Sequence, residues 1–523
     1  MLDFSRSRQL IVDQMLIRSS RRFPNKVALV DHKARITYEE LNNRVENLAG
    51  WLQSRGIEQG DKVALLLFNK IEYAECLFAI SKIGAVAVTI NFRLQPNEIE
   101  YILNNSDSKL LVVDSDLVPT ITPIREKLPF LEDIVVVNEN NLQDTSYYSY
   151  KHIFSFTSLP TLVHQEDDDD FLIVYTSGTT GKPKGAVLTH KNVYLNAMNY
   201  SLEFGLTKDE VQLITTPMFH IGGISALSMV ILMGGRSVFH DKFEPERVLE
   251  AYESEKISYS FMVPSMWNML LEHPRFSQFD VSSLRVLCTA AASTPLELKK
   301  RLMKSFPNAG VFDTYGQTET SPGTTTLKPT DSLHKSGSVG LSFTNVEIRV
   351  VDDEMKDVLP GQVGEIIFRG PTVMKGYYKH PDATEEAFRG GWLHSGDLVV
   401  VDEDGYISVV DRKKDMLISG GENIYPKEIE EVLYTHPAIL EAAVVGVPDE
   451  KWGETVKAYI VLRNGKTLTE TEVIDYCMGK LASYKKPRHI EFVGELPRNA
   501  AGKILKTELR KASSRTILNE AQK

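Results

Sequence analysis

Short apolar runs rich in β-branched residues, at 63–68, 85–90 and 109–113, alternate with segments at 38–55 and 71–83 whose apolar positions recur at helical spacing. The runs predict buried strands and the longer segments predict amphipathic helices. Their alternation predicts an α/β fold with layered helices and largely parallel strands. Periodicity weakens over 119–162, and the acidic run Glu166 to Asp170 that follows reads as a solvated linker capping the next strand. The longest nearly apolar stretch, 221–234, is loosened by Gly222 and Gly223. It falls short of the roughly 20 residues that span a bilayer, so it predicts a buried segment. Farther on, the charged cluster Asp411, Arg412, Lys413, Lys414, Asp415 separates a long body from a tail with its own pattern: helix at 425–434, strands at 442–447 and 458–461, helix at 470–481. The reading is a body over 1–411, a junction at 412–415 and a small domain over 416–523, with no internal repeat or heptad pattern.

A chain of 523 residues exceeds what one core serves, in keeping with that division. Hydrophobic residues at 42% and charged residues at 25% fit a folded, soluble protein. A net charge of -11 offers no general attraction to phosphate backbones, so nucleic acid is not expected as a partner and any phosphate site must be local. Three scattered cysteines, Cys76, Cys288 and Cys477, make neither a disulfide framework nor a thiolate metal site. With an N-terminus lacking the uninterrupted apolar core of a signal peptide, they predict a cytoplasmic protein.

The strongest chemical signal is a loop. The apolar run 171–175 leads into Thr176, Ser177, Gly178, Thr179, Thr180, Gly181, Lys182, Pro183, Lys184, Gly185. Glycines let successive amides turn toward one anion, hydroxyls add donors and lysines balance charge, which predicts a polyphosphate cradle. It is not a Walker A loop, because only Thr179 and Thr180 separate Gly178 from Gly181. The order of residues resembles the signature of the adenylate-forming superfamily, which includes acyl-CoA synthetases, luciferases and the adenylation domains of peptide synthetases.

Further segments carry the same resemblance in order along the chain. Tyr315, Gly316, Gln317, Thr318, Glu319 resembles a motif whose aromatic ring packs on adenine and whose acid holds Mg2+. A flat ring suits a base, and a carboxylate beside a polyphosphate needs a divalent cation between them. The resemblance adds Asp313 and Thr314 to the nucleotide site, with Thr176, Ser177, Gly178, Thr179, Thr180 and Lys184, and makes Thr179 a second metal-site residue. Asp397, in Trp392, Leu393, His394, Ser395, Gly396, Asp397, resembles the ribose-binding acid, and Arg412 the arginine that reaches the same sugar. Lys503, within the run Pro497 to Lys506, resembles the lysine required for adenylation, where a cation offsets the repulsion between a carboxylate and the α-phosphate.

The resemblance implies two domains, a large multi-layer one with a β-barrel-like part and a small, mobile α+β one. The small domain turns about Lys414 between two reactions. Ser419, Gly420, Gly421 and Glu422 then line a pantetheine tunnel, although the Gly-Gly pair alone is equally an antiparallel turn. Lys485 and Lys486 are weaker candidates for the nucleotide end of coenzyme A. His220, Ile221 and Gly222 wall the acyl pocket beside the carboxylate, with Gly316 and the segment 288–292, where Ala290, Ala291, Ala292 replace the common Gly-Gly-Ala. The expected activity is that of an acyl-CoA synthetase using ATP, Mg2+ and coenzyme A. Small apolar walls without an obvious cation favour a hydrophobic monocarboxylic acid, a medium- or long-chain fatty acid first and a benzoate- or cinnamate-type acid second. Transfer to a separate carrier protein, a luciferase-type oxidase and a regulatory protein without chemistry are the rival readings. Monomer or homodimer and peripheral membrane contact stay open.

Overall fold

A computed structural model describes residues 2–138, 146–155, 159–176, 182–420, 422–449, 451–498 and 504–520. By packing, the chain divides into two compact units, Met1–Ile348 with Phe368–Leu393 and Arg349–Ile367 with His394–Lys523.

The first unit holds two large sheets. One has eight strands, in the order Gly376–Tyr377, Lys184–Thr189, Asp170–Thr176, Val86–Thr89, Lys62–Leu66, Ser108–Asp114, Asp133–Val137, Tyr148–Ser149. From Asp170–Thr176 to Tyr148–Ser149 neighbours run parallel, and Lys184–Thr189 and Gly376–Tyr377 close one edge antiparallel. The other has nine, with a parallel centre from Gly310–Gly316 through Val286–Thr289, Tyr259–Met262, Val211–Ile214 and Arg236–Phe239 to Val27–Val30. Strands covered on both faces become near-continuous apolar runs, so Val86–Thr89 is buried at every position. The layered parallel fold is the one the alternation predicts.

Particular residues fix the element ends. Thr37 and Glu40 form a capping box on helix Tyr38–Ser54, and Thr189 with Asn192 does the same on helix His190–Glu203. The stretch 221–234 is the helix Ile221–Met233, buried along nearly its whole length and ended by Gly234 at φ +83°. Within the acidic run, Lys191 pairs with Asp168 at 2.5 Å and with Asp167 at 3.6 Å, while Asp170 opens its strand. Strand Asp133–Val137 lies inside the span of weak periodicity, where a single apolar run gave too little length to register. Among the described residues no helix is long and apolar enough to cross a membrane.

The second unit contains most of a four-stranded sheet, Glu347–Val351, Val363–Arg369, Leu393–Val401 and Ile407–Arg412. It also contains a five-stranded sheet in which Gly453–Leu462 pairs antiparallel with Ile439–Asp449 and parallel with His489–Phe492. Helices Pro426–Tyr434 and Glu470–Cys477 help build its core around Ile429, Leu433, Val444, Ile460 and Val473. The tail thus has the elements its pattern predicts.

Candidate active site

In the first unit, the loop candidates Ser177, Gly178, Thr179 and Thr180 lie outside the described residues, but both its arms are placed. Thr176 ends one strand and Lys184 begins the next, as antiparallel partners. The exit arm is held by tyrosines: Tyr101 Oη donates to Pro183 O at 3.2 Å, and Lys182 Nζ lies 5.2 Å from the Tyr101 ring centre. Lys184 Nζ lies 4.9 Å from the centre of the Tyr377 ring.

Strand Gly310–Gly316 carries Asp313, Thr314, Tyr315 and Gly316 to a turn formed by Gln317, Thr318 and Glu319. Gly316 has no room for a side chain, because a Cβ there would lie 1.8 Å from Pro322 O. Asp313 is buried, with Oδ1 accepting from Thr289 Oγ1 at 2.6 Å and Oδ2 2.5 Å from Lys299 Nζ, itself 1% exposed. Lys299 carries no local signal in the sequence, and Thr289 is named there only within the acyl-pocket segment 288–292. Tyr315 is half-buried, its ring 6.3 Å from that of Phe368. Glu319 accepts from Tyr377 Oη at 2.9 Å through Oε1. A magnesium ion bound to a nucleotide needs only one or two protein carboxylates and takes its other ligands from phosphates and water, so Glu319 fits the ion.

His220 precedes helix Ile221–Met233 at the end of an aromatic series in which Phe68 meets Phe92 at 4.8 Å, Phe92 meets Phe219 at 5.1 Å and Phe219 meets His220 at 4.3 Å between ring centres. Burial, with a smaller contribution from the Arg93 charge, pushes the imidazole down to about 4, so it is neutral at pH 7. A neutral imidazole can donate a hydrogen bond to a carboxylate without forming an ion pair. Gly222 faces Phe261, 3.4 Å from where its Cβ would stand.

Ala290, Ala291 and Ala292 follow strand Val286–Thr289, and Ala291 takes φ +66°. That left-handed conformation costs a residue with a Cβ roughly 1–2 kcal/mol. Ala291→Gly is therefore expected to stabilise the protein by about 1 kcal/mol, part of the gain being offset by the freer unfolded chain. An upward shift of the urea midpoint checks it, and a downward shift would contradict the left-handed backbone.

In the second unit, Asp397 and Arg412 are register partners on neighbouring antiparallel strands, and Arg412 Nε lies 2.5 Å from Asp397 Oδ1. The two ribose candidates are thus together. The turn before Asp397 rests on Glu365, which the sequence did not single out: Gly396 N donates to its Oε1 at 3.0 Å, while Lys413 Nζ and His394 Nδ1 lie 3.1 and 3.2 Å from its Oε2. Burial would raise the Glu365 carboxyl, but His394 and Lys413 outweigh it and hold it below the usual range. Lys414 is exposed, in a bend closed by Asp415 N to Arg412 O at 2.9 Å.

Ser419 and Glu422 pair across a two-residue hairpin. Gly420 sits there at φ +61° with its missing Cβ 2.7 Å from the Trp452 ring, and Gly421 lies outside the described residues. Lys485 is tied to Glu428 at 2.7 Å. Lys503 lies outside the described residues; Arg498 before it and Ile504 after it pair in a bridge, and Lys506 pairs with Glu430 at 2.8 Å.

A family model described as AMP-binding enzyme matches residues 16–378, and one described as AMP-binding enzyme C-terminal domain matches residues 428–503. A feruloyl-CoA synthase of an Amycolatopsis species is 38% identical, over 95% of this chain and 97% of that one. Among solved structures, an anthranilate CoA ligase in complex with anthranoyl-AMP superposes with a TM-score of 0.87 at 32% identity, covering 96% of this chain and 97% of its own. An o-succinylbenzoate CoA synthetase from Bacillus subtilis, in complex with its acyl-adenylate, does so at 0.86 and 33%, covering 95% and 97%. By sequence and fold, this chain belongs to the AMP-binding enzymes.

Proposed function

We propose that this protein is an AMP-forming acid–thiol ligase whose acid is aromatic. Supporting the ligase are the family membership and relatives that are CoA ligases and synthetases over nearly their whole length. Supporting the aromatic acid are relatives: a feruloyl-CoA synthase, a 2-succinylbenzoate–CoA ligase and an indoleacetate–CoA ligase, with a structural relative that holds anthranoyl-AMP. The observation in this chain that carries the reading is the row Phe68, Phe92, Phe219, His220, with Phe261 facing Gly222. Aromatic side chains packed edge-to-face or tilted beside the proposed acyl pocket would suit a planar ring better than a coiling alkyl chain. The fatty acid placed first on the sequence gives way to the aryl acid placed second.

In the first step a carboxylate oxygen of the acid attacks the α-phosphorus of ATP, the bond to the β-phosphate oxygen breaks, and pyrophosphate leaves. His220 orients the carboxylate, Lys184 and Lys503 offset charge on the phosphates, and Asp397 with Arg412 holds the ribose. Mg2+, held through Glu319, would supply charge neutralisation between the phosphates. In the second step the sulfur of coenzyme A attacks the acyl carbon and gives up its proton to solvent, the acyl carbon–oxygen bond to the phosphate breaks and AMP leaves, with Ser419, Gly420 and Glu422 beside the pantetheine and Lys414 as the pivot between steps.

Incubation with ATP, Mg2+ and a panel of benzoate-, cinnamate-, indoleacetate- and fatty-type acids, following pyrophosphate with and without coenzyme A, tests this. An aryl acid is expected to show a kcat/KM at least about tenfold above any fatty acid, equivalent to roughly 1.4 kcal/mol of selective binding. Faster turnover of dodecanoate or hexadecanoate would restore the fatty-acid reading.

A further inference from the structure

Lys184 and Glu319 lie on separate stretches of chain, and one side chain touches both. Tyr377 donates its phenolic proton to Glu319 Oε1 at 2.9 Å and presents its ring to Lys184 Nζ at 4.9 Å. We propose that Tyr377 is a positioning residue for the metal–triphosphate end of the site, setting the Glu319 carboxylate and the Lys184 ammonium relative to each other. The inference rests on the nucleotide roles proposed above for those two residues.

The fold holds Tyr377 firmly enough for this. Strand Gly376–Tyr377 pairs with Val187 and Ala186 of the strand that Lys184 begins, and Tyr378 N donates to Gly185 O at 2.8 Å. Tyr377 N donates to Thr384 Oγ1 at 2.9 Å. The same segment reaches the Glu319 backbone, where Met374 N donates to Glu319 O at 2.8 Å. Glu319 is therefore gripped by main chain and side chain from one short stretch, and that stretch is an edge of the phosphate-loop sheet. The chemistry suits the task. A phenol hydrogen bond fixes the carboxylate's rotation while consuming one of roughly four acceptor positions, so the group still has lone pairs for a cation. A ring face attracts an ammonium without supplying a counter-charge, which leaves the Lys184 ammonium to meet phosphate.

Tyr377→Phe removes the hydroxyl and keeps the ring, whereas Tyr377→Leu removes both. The test is ATP binding by isothermal titration calorimetry across a Mg2+ series, which needs no acid substrate, alongside the thermal midpoint. Loss of one hydrogen bond to a charged group predicts about a tenfold rise in the Mg2+ needed for half-maximal ATP affinity in the phenylalanine variant. Saturating Mg2+ should recover that affinity, and the thermal midpoint should stay near wild type. The leucine variant should also bind ATP more weakly at saturating Mg2+, because Lys184 has lost its ring. A phenylalanine variant with the wild-type Mg2+ dependence would overturn the inference, as would an affinity loss that Mg2+ does not recover. Wild-type protein that fails to bind ATP with Mg2+ would instead sink the nucleotide roles themselves.

Discussion

Lys503→Ala is expected to slow acyl-adenylate formation about a thousandfold while leaving thioester formation from supplied acyl-adenylate within a few-fold of wild type, the size expected for removing one strong charge-stabilising donor. The asymmetry follows from the chemistry. Attack on the α-phosphate brings a carboxylate onto a polyanion, so a lysine there acts mainly in the transition state. The thiol step expels AMP and builds no comparable charge at the phosphates. Misfolding is a poor alternative explanation for such a loss, because the chain on either side is anchored without Lys503. Leu505 N donates to Pro497 O at 2.8 Å, Arg498 pairs with Glu441, and Lys506 is bound to Glu430, which also accepts from Val444 N at 2.7 Å. Single-turnover assays of each half-reaction decide it, and equal loss in both would remove Lys503 from its role.

What the sequence disclosed follows the reach of its signals. Parallel strands in the first unit were legible because burial on both faces makes each one a continuous apolar run, as at Val86–Thr89 and Ser108–Asp114. The four-stranded sheet was not legible from pattern, since strands such as Glu347–Val351 mix exposed, half-buried and buried positions and carry little periodicity. At the candidate site, the contiguous motifs name their residues directly, and the structure pairs Asp397 with Arg412, the two residues proposed for the ribose. Tyr377, Lys299 and Glu365 were not found, because each acts on a motif residue distant in sequence: Tyr377 on Glu319, Lys299 on Asp313, Glu365 on the turn at Gly396. Such partnerships exist only after folding. Nor does a sequence show that His220 is neutral, which depends on how deeply Phe219 and its neighbours bury it. The proposed aryl acid rests on the same kind of feature, for the aromatic row unites Phe68, Phe92 and Phe219 from three different places in the chain.

Asp397→Ala should raise the KM for ATP about a hundredfold or more, since two hydroxyl hydrogen bonds to a carboxylate contribute roughly 1.5–3 kcal/mol each. The maximal rate should fall less, because the ribose is remote from the bonds that change and its contacts are made in ground and transition states alike. Asp397→Asn keeps one carbonyl acceptor and should lie between the two. The ion pair with Arg412 does not compete with ribose, because a carboxylate oxygen accepts more than one hydrogen bond. Fold disruption is a separable outcome. The Arg412 side chain is 37% exposed and can be hydrated once its partner is gone, so the cost to stability should be small compared with stranding a buried charge. A urea midpoint close to wild type, with a KM for ATP far above it, is the expected pair of measurements. A normal ATP dependence in the alanine variant would mean that Asp397 serves the strand pair and not the sugar.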